Sequence, residues 1–193
     1  MTDRHLAPEV AVPDGFVDAL GRACSAVVTD PALLEESARD WWPLGLQWHY
    51  DGILPARPVA VAHPTSGPEV ADVLRLCDEH RVPVTTAGGR SGVNGASVPI
   101  FGGVVLDTSG MAGIVDVDGV SLTVDVLPGT NGAHFEDELR RRHGITCGHW
   151  PQSMAISTVG GWLACRGAGQ LSTRYGKIED MVVGLEVALA DGS

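Results

Sequence analysis

The chain has 193 residues, with 24 acidic against 13 basic side chains and a formal net charge of -11. That balance disfavours a nucleic-acid interface, which needs clustered cations to neutralise phosphates. The cations are twelve arginines and Lys177 alone, so no phosphate loop ending in Gly-Lys-Ser/Thr is available.

No apolar run approaches the ~20 residues that cross a bilayer, and the N-terminal "MTDRHLAPEVAVPDG" lacks a basic region followed by an apolar one. Cys24, Cys77, Cys147 and Cys165 are far apart, with no Cys-x-x-Cys pair, and read as reduced thiols rather than a disulfide framework or structural zinc. The expectation is a protein of the cytoplasm without a transmembrane segment or a nucleic-acid partner.

"DGFVDALGRACSAV", residues 14–27, sets Phe16, Val17, Leu20 and Cys24 at helical spacing. "DPALLEESARD" opens a second helix with Asp30 as cap and Pro31 in the first turn. "WWPLGLQWHYDGILPARP" holds three of the five tryptophans among prolines and glycines, and its composition predicts an extended segment laid over apolar surface. Residues 1–53 thus form a helical arm with a Trp/Pro-rich segment, and residues 54–193 form the main domain.

In that domain "PVAVAHP" predicts a strand and "SGPEVADVLRLCDEHR" a helix, with Ser66 and Glu69 as a capping box and Val70, Val73, Leu74 and Cys77 as the apolar stripe. "VPVTTAGG", "GGVVLDTS" and "GIVDVD" read as further strands. "VSLTVDVLPGT" alternates Val120, Leu122, Val124 and Val126 with polar residues, predicting a strand with one wet or ligand-facing side. "NGAHFEDELRRRHG" is a helix whose basic last turn suits the negative end of its dipole and which stops at Gly144. "MVVGLEVALADGS" reads as a strand entering a turn, and a strand edge without a partner marks the chain as the front part of a longer domain.

Two glycine-rich stretches carry the chemistry. "TTAGGRSGVNGASVP" follows a predicted strand, and successive N–H groups in such a turn converge on an anion, with a diphosphate the natural guest. Its Gly89-x-x-Gly92-x-x-Gly95 spacing is not the Gly-x-Gly-x-x-Gly of a nicotinamide-binding unit. "ISTVGGWLACRGAG" places Gly160, Gly161, Gly167 and Gly169 around Trp162, as a backbone does that approaches something closely. "HGITCGHW" brings His143, Cys147 and His149 together, but they read as a helix-end cation and a loop flank rather than as metal ligands. Arg166 and Arg174 suit phosphate or, equally, neighbouring carboxylates.

"GGRSGVNGASVP", "VLPGT", "CGHWPQSMAISTVGGWLACRGAG" and "RYGKIEDMVVGLEVALADG" resemble, in order and spacing, the FAD-binding domain of the vanillyl-alcohol-oxidase and PCMH-type flavoproteins. Within that family they look most like alkyldihydroxyacetonephosphate synthase and the bacterial FAD-linked oxidases similar to it. The resemblance implies an α+β domain of two small α/β subdomains, present here as its N-terminal portion. It implies FAD as cofactor, with Gly88, Gly89, Arg90, Ser91, Gly92, Asn94 and Gly95 wrapping the diphosphate. Pro151, Ser153, Thr158, Gly160 and Gly161 would lie along diphosphate, ribityl chain and flavin, with Pro128 and Gly129 in a nearby turn and Ile178 in a later cofactor loop. The first loop has no histidine, so no covalent flavin bond is expected from it.

Residues that bind substrate lie, by the same resemblance, in a cap domain and later segment beyond Ser193, so the catalytic residues are unknown from this chain and it is expected to be inactive alone. A small-molecule substrate and room for a homodimer of the full-length protein are implied too. Two activities stay open: an alkyldihydroxyacetonephosphate synthase-like reaction, or FAD-dependent dehydrogenation of a 2-hydroxy acid of the D-lactate type. A truncated, noncatalytic nucleotide-binding module is the reading from another class.

Overall fold

A computed structural model describes residues 9–54 and 56–193. The chain divides into two compact units, one running to Thr108 and including Val187–Ser193, the other Ser109–Glu186.

The first unit begins with α1 (Phe16–Ala23), β1 (Val27–Val28), α2 (Pro31–Glu36) and α3 (Pro43–Tyr50). It continues with β2 (Ala60–Ala62), α4 (Gly67–Glu79), β3 (Val84–Ala87) and β4 (Val104–Asp107). Its sheet has the order β1-β2-β4-β3, with β4 parallel to both β2 and β3 and β1 antiparallel at the edge. The inner strands β2 and β4 are short apolar runs because both faces are covered, whereas β3, at the edge, carries Thr85 and Thr86. Ala60, Ala62, Val104 and Leu106 pack with Phe16, Leu20, Val73 and Cys77 from α1 and α4. Val61, Val105 and Ala87 point the other way and pack with Leu34 of α2. Burial pushes the Cys77 thiol up to about 12.

The second unit pairs β5 (Ile114–Asp118) with β6 (Thr123–Val126) in an antiparallel hairpin. It adds α5 (Gly132–Glu138), α6 (Val159–Ala164) and α7 (Ser172–Tyr175). Its core is Phe135, Leu139, Met154, Val159, Trp162 and Ile178. Asn131 caps α5 through its side-chain oxygen, which accepts from the N–H groups of Ala133 and His134. The helix relaxes into a π turn over Leu139–His143 before Gly144 ends it in the left-handed region.

Five expectations are corrected here. The first helix stops at Ala23, and residues 27–28 instead pair with β2, where backbone hydrogen bonds to Val61 and Ala62 win over helical continuation. The segment expected to be extended contains α3: Pro43 occupies its first turn, where a missing N–H costs nothing, and Gly45 lies against Trp42. The alternation at residues 120–126 is strand only from Thr123. Val120 and Leu122 lie exposed in the hairpin turn, whose N–H groups at Val120 and Ser121 are held by the Asp118 carboxylate.

Half of the predicted capping box forms: Ser66 Oγ accepts from the Glu69 N–H, but the Glu69 carboxylate turns to the N–H and hydroxyl groups of Ser25 and Thr65. Finally, residues 184–189 join no ladder among the described residues; Leu185, Val187 and Leu189 are exposed, and the chain turns so that the Gly192 carbonyl accepts from Arg75.

Candidate functional site

In the first unit the loop from Gly88 to Gly95 leaves the carboxyl end of β3, the side on which open parallel sheets receive ligands. From Gly89 through Gly95 no main-chain N–H has an acceptor among the described residues. Unpaired amides in a turn that is only half-buried are donors for an anion.

The shape of this loop is imposed by side chains around it. Arg90 is a non-glycine residue with φ 48, and its guanidinium donates to Asp107 at 2.8 Å, at the carboxyl end of β4. Its backbone is therefore held in a region L-residues avoid. Arg90 Nε is buried without a partner among the described residues. Trp41 N–H donates to the Gly92 carbonyl at 3.0 Å. Gly95 has φ +78, and a Cβ on it would stand 2.8 Å from the Trp42 ring. Ser91 is half-buried and Asn94 exposed.

In the second unit Pro128, Gly129, Thr158, Gly160 and Gly161 come together. Gly160 N–H donates to the Pro128 carbonyl at 2.7 Å, and Val159 N–H donates to Thr130 at 3.0 Å, so the start of α6 is fastened to the 128–130 turn. Thr158 is buried, and its Oγ1 has no partner among the described residues. Pro151 and Ser153 form the turns leading in, their carbonyls accepting from Met154 and from Ile156 and Ser157. Ile178 donates its N–H to Gly167, but its side chain belongs to the core. Trp162 is fixed by donation from its indole to Ser157 Oγ at 2.7 Å.

The glycines of this stretch do not all do what their composition suggests. A Cβ on Gly160 would meet Pro128 at 2.7 Å, and one on Gly169 would meet the Trp150 nitrogen at 2.5 Å, so these two approach their own chain. A Cβ on Gly161 would meet only Thr158 Oγ1, at 3.2 Å. His149 is 1% exposed, packs its ring 4.7 Å from Trp162, and has neither nitrogen hydrogen-bonded among the described residues. Burial pushes its imidazole pKa below the ordinary value. Arg166 is committed to Glu179 at 2.7 and 3.0 Å, while the Arg174 guanidinium lies over Tyr175. Among the described residues no three His, Cys, Asp or Glu side chains converge as metal ligands.

Residues 58–193 match the FAD binding domain family. The chain belongs to that family. This FAD-binding domain is 36% identical over 186 residues to an uncharacterized FAD-linked oxidoreductase, YgcU, of Escherichia coli, covering 95% of this chain and 37% of the relative. It is 30% identical to alkyldihydroxyacetonephosphate synthase of Trypanosoma brucei brucei, covering 98% of this chain and 32% of the relative. It is 32% identical to D-lactate dehydrogenase of Archaeoglobus fulgidus, covering 71% and 30%.

Among solved structures, alkyldihydroxyacetonephosphate synthase superposes with a TM-score of 0.82 at 28% identity, over 95% of this chain and 35% of that one. p-Cresol methylhydroxylase shares the fold, with a TM-score of 0.79 at 23% identity over 95% and 35% of the two chains. The FAD-binding domain therefore spans about a third of the length of these relatives. The α+β fold and the PCMH-type flavoprotein resemblance expected from the sequence hold.

The residues present fit FAD. The open N–H run of Gly89–Gly95 suits a diphosphate, and the partnerless Thr158 hydroxyl suits the polar middle of a dinucleotide. Sequence reasoning missed Asp107, Asp40 and Trp42, all of which shape the first loop. Asp107 had a signal, since a carboxylate closing the apolar run "VVLD" must be buried with a partner.

Proposed function

We propose that this FAD-binding domain serves a full-length FAD-linked enzyme of the alkyldihydroxyacetonephosphate synthase type. The observation that supports this most directly is the unsatisfied N–H run from Gly89 to Gly95 at the carboxyl end of a parallel sheet. In this reading the main-chain amides of Gly88, Gly89, Arg90, Ser91, Gly92 and Gly95 bind the diphosphate, while the Arg90 guanidinium stays with Asp107 and fixes the loop. Asn94 and Ser91 add side-chain donors. Thr158, Gly161, Ser153 and Pro151 line the flavin and ribityl parts, Gly160 and Pro128–Gly129 set their position, and Ile178 contributes main chain.

Held without a covalent bond from the first loop, FAD would supply two-electron chemistry at its flavin ring, and the domain would bind and orient it. Substrate contacts come from a cap domain in the remainder of the protein. Residues 1–53 precede a flavin domain that begins near residue 54, and α1 and β1 of this segment pack into its core and sheet; the enzyme works in the cytoplasm, and a homodimer is its assembly. Among the described residues no helix is long and apolar enough to cross a membrane.

A second reading, oxidation of a 2-hydroxy acid, is favoured by the similarity to a D-lactate dehydrogenase. Equilibrium dialysis of the full-length protein against FAD, NAD and ATP tests the cofactor: FAD is retained, and preferential retention of NAD or ATP overturns the assignment. Flavin bleaching by D-lactate or D-2-hydroxyglutarate under anaerobic conditions, with no exchange of acyl for alkoxy groups, would replace the synthase reading by the dehydrogenase one.

A further inference from the structure

We infer that Asp40 and Trp42, which lie upstream of the matched family region, are positioning residues for the diphosphate loop and set the affinity for FAD without touching it. This rests on the assignment of the glycine loop to FAD made above.

Three contacts pin the far half of the loop to residues 40–42. Trp41 N–H donates to the Gly92 carbonyl at 3.0 Å. The Asp40 carboxylate, 4% exposed, accepts from Trp42 N–H at 2.9 Å through one oxygen and from Ser97 N–H at 3.5 Å through the other. The Trp42 ring comes within 2.8 Å of where a Cβ on Gly95 would be, and is itself braced edge-to-face by Trp48 at a centroid distance of 5.4 Å.

The chemistry of Asp40 is specific to this task. Both of its partners are N–H donors, so both side-chain oxygens must accept; an amide in its place would turn an NH2 group toward one of them. A loop that keeps its own amides free for a ligand cannot be held by those amides; Arg90 anchors its near half through Asp107, and the carbonyl of Gly92, the left-handed turn at Gly95 and the N–H of Ser97 are the handles of its far half. Preorganising amides before the ligand arrives raises affinity by removing an ordering cost. The buried carboxylate beside a loop for an anion is tolerable because its two acceptor positions are occupied by fixed donors.

The test uses the full-length protein, freed of cofactor and titrated with FAD, with hydrogen exchange recorded on the cofactor-free form. Asp40→Asn and Trp42→Ala are expected to weaken FAD binding at least tenfold, and Trp42→Phe, which keeps an aromatic edge against Gly95, to stay within about threefold of wild type. In the Asp40→Asn protein, exchange accelerates at the hydrogen-bonded amides of Trp41, Trp42, Ser97 and Val98 and not in β2 or β4.

Unchanged FAD affinity in Asp40→Asn and in a folded Trp42→Ala would overturn the inference while leaving the cofactor assignment intact. So would exchange that rises equally across the sheet, the mark of a merely structural role. If Trp42→Ala does not fold, the Asp40→Asn affinity and exchange decide alone. Wild-type protein that retains no FAD would overturn the cofactor assignment itself, and this inference with it.

Discussion

Gly160 and Pro128 are closer than any side chain on residue 160 would allow: the Gly160 N–H donates to the Pro128 carbonyl at 2.7 Å, and a Cβ would stand 2.7 Å from that of Pro128. The glycine is thus required by packing within the second unit. Gly160→Val is expected to destabilise the protein by about 1–3 kcal/mol through overpacking and to abolish flavin retention. Thermal melting and the flavin absorbance of the purified full-length variant measure the two; an unchanged melting temperature would show that Pro128 yields at little cost.

Gly161 gives the complementary test, because a Cβ there meets only Thr158 Oγ1, at 3.2 Å, and the residue is exposed. Gly161→Ala should melt close to wild type yet lose flavin, if its outward side faces the cofactor. Full flavin content in that variant would remove Gly161 from the site.

Arg90 links loop and sheet through Asp107, whose side chain is 4% exposed. Removing the guanidinium takes away a charge-assisted hydrogen bond to this carboxylate, so Arg90→Ala should cost about 1.5–3 kcal/mol of stability. Urea denaturation of the cofactor-free protein reads this. A cost below ~0.5 kcal/mol, the range of ordinary surface substitutions, would show that the pair does not fix the loop.

Glu69 gives a pH dependence with a definite sign. Hydrogen bonds from Ser25, with those from Thr65, lower its carboxyl from 4.5 to about 2. A depressed folded-state value means that the ionised carboxylate stabilises the fold above the unfolded value near 4.5, and that this contribution fades as pH falls toward 2. The stability gap between wild type and Glu69→Gln should be flat from pH 7 to about 5 and shrink below it. A gap that does not vary with pH would mean that these bonds do not discriminate between the charged and neutral forms.

Thiol labelling should follow burial. Cys24 and Cys77 are buried, Cys147 is half-buried, and Cys165 is exposed. Burial also raises the thiols of Cys24, Cys77 and Cys147, disfavouring the reactive thiolate. Iodoacetamide on the native protein should modify Cys165 first, and Cys165→Ser should remove the fast phase. Peptide mapping that finds Cys77 modified at the same rate would indicate opening of the first unit's core.

What the sequence determined by itself was whatever is written within a few residues. The Asp30 cap with Pro31, the Ser66 cap with the stripe through Val73 and Cys77, the Asn131 start of α5 and its stop at Gly144 are local side-chain and backbone chemistry, legible before any fold is known. The motif order likewise located both glycine-rich loops.

The tertiary structure decided everything that depends on chain segments meeting. Glu69 abandons half its capping box because Ser25 arrives beside it from 44 positions away. Residues 43–50 become helical where composition suggested extension, and residues 27–28 pair with a strand that begins at residue 60. The same holds for the glycines: composition marks Gly95, Gly160 and Gly161 alike, yet Trp42 lies against the first, Pro128 against the second and open space beyond Thr158 against the third. A missing Cβ records only that something comes close. What comes close is set by how the chain returns, and no pattern of neighbouring residues encodes that.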